Sequence, residues 1–181
     1  AELAKSWDDG LFRPKFPASK VPKGLLDKQI AKGDIDKAAI KFEVGEEVLV
    51  LSGKDDKYWI FGLACVESIF GMFHGKIWYG NSWSDGYQKD RIHAQERMKK
   101  VNLDSLKFQP LEDVEIKAGS IWVACKLGTK FCLPLDIEVD EPKVYEVLLP
   151  RRFHIEDPET GKLTTHKFLE ESCIRRKIER A

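Results

Sequence analysis

The sequence predicts an α+β fold in which a β-rich barrel is flanked by short helices. Two runs rich in β-branched and aromatic residues, KFEVGEEVLVL and KYWIFGLACVESIF, are separated by the turn sequence SGKDD, which is typical of a β-hairpin. Three similar runs follow beyond residue 105: SIWVACKL, KFCLPLDIEV and KVYEVLLP. A chain of 181 residues with 43% hydrophobic residues can bury one core, so we predict a single domain over residues 1–181.

The predicted domain has three segments. Residues 1–40 begin with a basic, proline-punctuated loop, and the run GLLDKQIAKGDIDKAAI then has the apolar spacing of one or two short helices. Residues 41–150 form the β-rich body, in which KYWIFGLACVESIF is apolar on both faces and is therefore expected to be a central strand. Residues 151–181 are predicted to be a helical tail, either packed or linking to a further domain.

Connections between these runs are also predictable. The run DRIHAQERMKKV, with Ile92, Gln95, Arg97 and Met98, predicts a short polar helix. Turns are expected at GTK, DEPK and DPETGK, and the sequence ending in IRRKIER predicts a charged final helix. No internal repeat is apparent.

Composition limits the function classes. The 30 Lys and Arg residues balance 30 Asp and Glu residues, so no overall field attracts nucleic acid and an anionic partner would need a local basic patch. No apolar run approaches a membrane span, and the first residues lack a signal-peptide core, which favours a cytoplasmic protein without membrane contact. Four cysteines lie far apart and are expected to be buried thiols: Cys65, Cys125, Cys132 and Cys173.

The amino-acid composition indicates the type of organism from which the protein comes. Asn81 and Asn102 are the only asparagines, and glutamine is scarce, while Lys and Glu are abundant. Few thermolabile amides with many charged residues is the hyperthermophile pattern. We therefore expect a thermophilic, archaeal source.

Catalytic signatures are weak. The chain lacks both glycine-rich phosphate-loop patterns, and its cysteines do not have zinc-site spacing relative to its histidines. One tripeptide, Glu141–Lys143, matches the acidic-x-Lys element of metal-dependent nucleases. Pro142 favours a turn there instead, because proline is excluded from central strands. We therefore predict a protein that is not an enzyme, with no cofactor and no metal.

The stretch HGKIWYGNSWSDGYQKDRI, residues 74–92, has bulky rings in a glycine-rich sequence that is typical of a loop. In one interpretation its rings pack into the core. In the other, two or three of them wall a pocket for a flat or cationic guest, such as a flipped base or a methylated ammonium, whose polar edge Asn81 and Asp85 read.

A resemblance to a known family favours a flipped base, rather than a methylated ammonium, as the ligand. VGEEVLVLSGKDDKYWIFGLACVESI resembles the centre of PUA-like domains of the EVE and YTH type, through Gly45, Glu46, Val48 and Leu49 and then Phe61, Gly62, Leu63, Ala64 and Val66. The segment WDDGLFR is similar to the tryptophan loop that precedes this hairpin in EVE domains. The resemblance implies a PUA-like barrel that cages a modified base with an aromatic pocket. Taken with the residues above, the predicted base pocket comprises Trp7, Trp78, Tyr79, Asn81, Trp83 and Asp85.

With the thermophile composition, this resemblance extends to the DNA-binding domains of archaeal McrB-type restriction subunits. It implies that the partner is methylated double-stranded DNA, for instance carrying N6-methyladenine, and that a GTP-driven motor domain follows in the same chain. Basic residues flanking the loop would then hold the phosphates. They are Lys76, Lys89, Arg91, Arg97, Lys99 and Lys100.

Two alternatives stay open. KFEVGEEVLVLSG followed by IWYGNSWSDGYQKDRI is also similar to chromo-barrel readers, which begin K-F-x-x-G-E-x-V-L and place aromatic residues around methyl-lysine. That resemblance implies a methyl-lysine peptide as the ligand. An RNA-binding PUA-like module is the other alternative.

Overall fold

The computed structural model describes residues 22–54, 57–86, 91–134 and 143–177, and the account that follows concerns these residues. The predicted β-rich α+β class is confirmed: one α-helix, α1, spans Leu25–Lys32, and antiparallel strands dominate the rest. The strands are β1 Glu47–Lys54, β2 Tyr58–Phe73, β3 Lys76–Trp83, β4 Ile92–Ala94, β5 Met98–Lys100, β6 Asp113–Ala118, β7 Ile121–Pro134, β8 Val144–Leu148, β9 Ile155–Glu156, β10 Leu163–Thr164, β11 His166–Glu170 and β12 Ile174–Arg176. Short 3-10 helices span Lys37–Ala39, Gln95–Arg97, Leu103–Ser105, Arg151–Phe153 and Glu171–Cys173.

Helix α1 is fixed to strand β2 by one glutamine. Gln29 Nε2 donates to the Met72 carbonyl (3.0 Å), and the Met72 N–H donates to Gln29 Oε1 (2.8 Å). Gly71 makes this approach possible, because its φ is 118° and a Cβ there would lie 2.5 Å from Gln29 Oε1. The prediction of one or two short helices before residue 41 is confirmed by α1 and by the 3-10 helix Lys37–Ala39.

Contacts divide the chain into two compact units. Unit 1 consists of Ala1–Gly53 and Gly62–Val101, and unit 2 consists of Lys54–Phe61 and Asn102–Ala181. In unit 1 the hydrogen-bonded strand order is β4-β3-β2-β1-β5. The last strand therefore returns to pair with the first, with Val50 opposite Met98.

Unit 2 repeats the topology of unit 1. Its strand order is β11-β8-β7-β6-β12, and its last strand again pairs with its first, with Ile116 opposite Ile174. In both units a 3-10 helix precedes that last strand. The β9-β10 hairpin lies between β8 and β11, where unit 1 has the connection from β3 to β4. The expectation of no internal repeat was wrong.

The closing contact of unit 1 is an aromatic pair with a cation on it. The Phe42 and Tyr79 rings meet edge to face, 5.6 Å between centroids. Lys100 Nζ, from the last strand, lies 5.7 Å from the Phe42 centroid and 3.6 Å from Glu46 Oε2. We call this set of four residues the clasp.

Unit 2 has the same clasp at equivalent positions. The Phe108 and Tyr145 rings are 5.6 Å apart, at 81°. Arg176 lies 5.5 Å from the Phe108 centroid, and its Nε is 3.2 Å from Glu112 Oε2. Because two stretches with few identical residues build one set of contacts, the repeat extends to side-chain packing.

Two helix predictions were wrong for one reason. The run from Ile92 to Lys100 forms strand β4, a 3-10 helix and strand β5, and the run from His166 to Arg176 forms β11, a 3-10 helix and β12. In each run a three-residue 3-10 helix separates two short strands, so apolar residues recur at an apparently helical spacing. Pairing with neighbouring strands decides the conformation.

The predicted turns had mixed outcomes. Ser52, Gly53 and Lys54 of the predicted SGKDD turn belong to strand β1, and the two aspartates of that sequence lie outside the described residues. DPETGK lies between β9 and β10, as predicted. GTK is not a turn: β7 continues through Gly128–Lys130, with a shift of register between Leu127 and Phe131. DEPK falls almost wholly outside the described residues.

The helices in the described ranges have neither the length nor the apolar character needed to cross a membrane.

Replacing Gln29 with alanine should remove both bonds to Met72 and lower the free energy of unfolding by about 1 to 3 kcal/mol, because the strand's N–H and C=O lose their partners in a half-buried site. Chemical denaturation measures the change. Lys28→Ala, at an exposed position of the same helix, is the matched control and should be neutral within about 0.5 kcal/mol. Equal effects of the two variants would contradict the docking role of Gln29.

Burial raises the pKa of both clasp tyrosines, Tyr79 and Tyr145, above 10.0. The folded state therefore holds these protons more tightly than the unfolded chain does. Their contribution to stability is complete below about pH 10 and is lost as the pH rises further. Denaturation curves at rising alkaline pH should show this loss, and the Tyr79→Phe/Tyr145→Phe variant should lose stability less steeply. If the stability of the protein and that of the double variant fell equally steeply with rising pH, the two tyrosines would not be the cause of the loss.

Candidate functional site

Strand β3 contains the aromatic residues Trp78, Tyr79 and Trp83. From the sequence, their rings could lie either in the core or around a ligand pocket. Successive side chains of a strand point to opposite faces. Tyr79 and Trp83 belong to the core cluster of unit 1, and Asn81 lies between them on the same face. All three are buried, with exposed fractions of 0%, 6% and 0% for Tyr79, Trp83 and Asn81.

Asn81 belongs to a polar cluster inside unit 1. Its Nδ2 lies 3.2 Å from His93 Nδ1 and 3.7 Å from Met98 Sδ, and the His93 ring meets the Trp83 ring edge to face at 5.2 Å. His93 is 2% exposed. We call Asn81, His93, Met98 and Trp83 the inner polar cluster.

One atom of the cluster is unsatisfied. Asn81 Oδ1 is buried and has no hydrogen-bond partner among the described residues. A buried acceptor left without a donor costs about 1 to 3 kcal/mol. The cluster therefore holds an acceptor that a ligand N–H could satisfy.

Tyr79 has a structural role. Its hydroxyl donates to Gln95 Oε1, which also accepts the Lys41 N–H (3.1 Å), while Gln95 Nε2 donates to the Ala39 carbonyl (3.0 Å). The ring is fully buried against Phe42. Tyr79 is thus a core residue of the clasp and does not present a face to a guest.

Trp78 lies on the opposite face of β3 from Trp83. It packs with Ala94 and with the half-buried Phe70, Phe73 and Ile92, and its Nε1 donates to the Phe73 carbonyl (2.8 Å). The five-residue spacing of the two tryptophans on one strand separates them, so together they do not wall one pocket. Asp85 lies half-buried in the turn after β3, and Trp7 lies outside the described residues.

The predicted phosphate contacts are largely engaged within unit 1. Lys76 pairs with Glu96, Lys100 pairs with Glu46, and Arg97 donates to the Leu51 carbonyl (3.1 Å). Arg91 is exposed and Lys99 is half-buried, whereas Lys89 lies outside the described residues. Three of the five described residues of this set are thus engaged in contacts within unit 1.

Unit 2 shows what the fold itself requires at the cluster. Leu169 lies opposite Tyr145 as His93 lies opposite Tyr79. Val147 and Ile174 likewise occupy the positions of Asn81 and Met98. Unit 2 thus has an apolar residue at each of the three positions that Asn81, His93 and Met98 occupy in unit 1. The polar atoms in unit 1 are not needed for the topology, which makes them candidates for function.

The cluster's chemistry suits a cationic or amino N–H donor. It offers the Asn81 acceptor and the Trp83 ring, with the Asp85 carboxylate two residues beyond the strand end. Sequence reasoning missed His93, because IHA was assigned to a helix; its only signal was the alternation of apolar and polar residues. In the described ranges no three His, Cys, Asp or Glu side chains are grouped to hold a metal.

Comparison with known proteins finds no matching family model and no matching curated protein.

Replacing Asn81 with valine and His93 with leucine, the residues of unit 2, should leave a folded protein of equal or greater stability, because the unsatisfied acceptor disappears. His93→Leu alone should lower the free energy of unfolding by about 1 to 3 kcal/mol, since Asn81 then loses a partner. Thermal melting of the single and double variants measures this coupling. A double variant less stable than either single variant would contradict the repeat argument.

Proposed function

We propose that the chain is a non-catalytic recognition module whose unit 1 binds a peptide carrying a methylated lysine, in the manner of chromo-barrel readers. One observation carries the proposal: the inner polar cluster is present in unit 1 and replaced by apolar residues at the equivalent positions of unit 2. An unsatisfied buried acceptor calls for an explanation, and a ligand that donates an N–H to it is the explanation that we propose.

The chemistry of the cluster supports an ammonium ligand. An acceptor next to an aromatic ring favours a cation that keeps at least one N–H, as mono- and dimethyl-lysine do. Trp83 is 6% exposed and is the last residue of β3, and Asp85 lies in the turn that follows. The resemblance of the sequence KFEVGEEVLVLSG to chromo-barrel readers supports the same class of ligand.

Charge also favours a peptide over DNA. The net charge is zero, and Lys76 and Lys100 are paired with carboxylates. DNA affinity depends on cations that neutralise phosphates. A protein with no net charge, in which these two lysines pair with carboxylates, offers less of this attraction than a basic protein does.

The modified-base reader is the second candidate. Asn81 Oδ1 supports it, because the N6–H of N6-methyladenine would satisfy the same acceptor. Flipping the base would then require the Trp83 side chain to move off the His93 ring to make room. In this alternative the chain is the specificity domain of a restriction system, within a PUA-like barrel.

A titration panel separates the two candidates. Peptides with unmodified, mono-, di- and trimethylated lysine, and duplexes with and without N6-methyladenine, are titrated against the protein by calorimetry. We expect the mono- and dimethylated peptides to bind best, and Asn81→Val to weaken them roughly 10- to 150-fold, since a hydrogen bond to a charged group contributes about 1.5 to 3 kcal/mol.

Ser82→Ala, on the other face of β3, is the matched control and should bind normally. Binding of methylated DNA alone, lost in Asn81→Val, would favour the second candidate. Binding of the peptides that Asn81→Val leaves unchanged would reject the inner polar cluster as the site.

A further inference from the structure

One glutamine in unit 1 connects three elements beside the clasp. Gln95 Oε1 accepts the Tyr79 hydroxyl and the Lys41 N–H (3.1 Å). Gln95 Nε2 donates to the Ala39 carbonyl (3.0 Å). We call these three hydrogen bonds the latch. They join strand β3 to the 3-10 helix that precedes β5 and to the segment that precedes β1, and they require one side chain that both accepts and donates.

Unit 2 has Glu171 at the position of Gln95, because each residue begins the 3-10 helix that precedes the last strand of its unit. The other groups have equivalents as well: Tyr145 replaces the tyrosine, and Ser105, which ends the 3-10 helix before β6, replaces Ala39. An ionised carboxylate accepts hydrogen bonds but cannot donate one. With its carboxyl group ionised, Glu171 therefore cannot bond to the Ser105 carbonyl.

The latch of unit 2 is open in the structure. The Tyr145 hydroxyl is buried and has no hydrogen-bond partner among the described residues. The Glu171 N–H donates to the Lys143 carbonyl (2.9 Å), but within the described ranges the Glu171 carboxylate forms neither a hydrogen bond nor an ion pair. A buried hydroxyl without a partner is unfavourable, so unit 2 lacks a stabilising interaction that unit 1 has at the equivalent place.

The charges around the open latch are mostly negative. Burial raises the pKa of the Tyr145 hydroxyl, and the carboxylates of Glu171 and Glu112 raise it further. Arg176, on β12, lies with its Nε 3.2 Å from Glu112 Oε2 and donates to the Lys107 carbonyl (2.6 Å). This arginine therefore pairs with Glu112 and not with Glu171.

We propose that Glu171 is a pH-sensitive switch, which closes the latch of unit 2 when its carboxyl group takes up a proton and opens it when the group is ionised. The protonated group has an O–H that donates to the Ser105 carbonyl. Its other oxygen accepts the Tyr145 hydroxyl and the Lys107 N–H, which completes the set of bonds that Gln95 forms in unit 1.

Closure fixes the 3-10 helix that leads into β12, so the last strand of unit 2 is held more firmly in acid. Because closure takes up a proton, the stability that the latch contributes is present at low pH and is lost as the pH rises. The switch lies in unit 2 and does not depend on the function proposed for unit 1.

Glu171→Gln imitates the closed latch at every pH. At about pH 7 this variant should melt roughly 2 to 4 °C above the unchanged protein, because the latch bonds are added. At about pH 4, where glutamate side chains take up protons, the difference should become smaller. Hydrogen exchange of the β12 amides should also be slower in the variant at neutral pH, since the strand opens less often.

Three further variants serve as controls. Glu170→Gln removes the same charge from the exposed neighbouring residue that ends β11, and should leave the melting temperature unchanged. Tyr145→Phe removes the hydroxyl, so the gain from Glu171→Gln should be smaller in that background. Gln95→Glu opens the latch of unit 1 and should lower the melting temperature more in neutral than in acidic solution; if it does not fold, Glu171→Gln decides alone.

An unchanged melting temperature of Glu171→Gln in neutral solution, or a gain that is equally large in acid, would overturn the proposal. An equal gain in Glu170→Gln would do the same, because loss of one negative charge would then be a sufficient cause.

Discussion

The return of the last strand to the first is the constraint on which each unit depends. Short strands such as β5 and β12 have three residues each and form few ladder bonds, so side chains must hold them. The clasp does this by placing a cation of the last strand over a phenylalanine whose edge meets a buried tyrosine. Aromatic pairs of this geometry contribute about 0.5 to 1.5 kcal/mol beyond their burial.

The clasp also determines which residues reach the interior. Once Tyr79 is fixed in the core of unit 1, the two-residue period of β3 places Asn81 and Trp83 on the same face and Trp78 on the opposite face, where Trp78 is buried against Ala94. A polar side chain in that row is then buried whether or not it has partners. One residue that faces the core can therefore be polar in one unit and apolar in the other without a change of topology. Asn81 in unit 1 and Val147 in unit 2 are an example.

Sequence reasoning succeeded where signals were local. The hairpin from β1 to β2 was predictable because strand composition and a turn coincide, and the short helices before it have regular apolar spacing. It failed where pairing partners are distant, as at Gln95, whose side chain bonds to Tyr79 and Ala39. The repeat escaped notice because only scattered positions match, such as Lys41-Phe42 and Lys107-Phe108.

The two units therefore act as controls for each other in a chain without matched relatives. Where both keep a contact, as at Glu46 and Glu112 with their cations, the fold requires it. Where the two units differ, the fold accepts either residue. A residue that lowers the stability of its unit must then be explained by something other than the fold, such as a ligand. The buried Asn81 acceptor in unit 1 is the costly residue of its pair, because Val147 at the equivalent position of unit 2 leaves no polar side-chain atom unsatisfied. A ligand that supplies an N–H donor would relieve this cost, which is the physical basis of the function that we propose for unit 1.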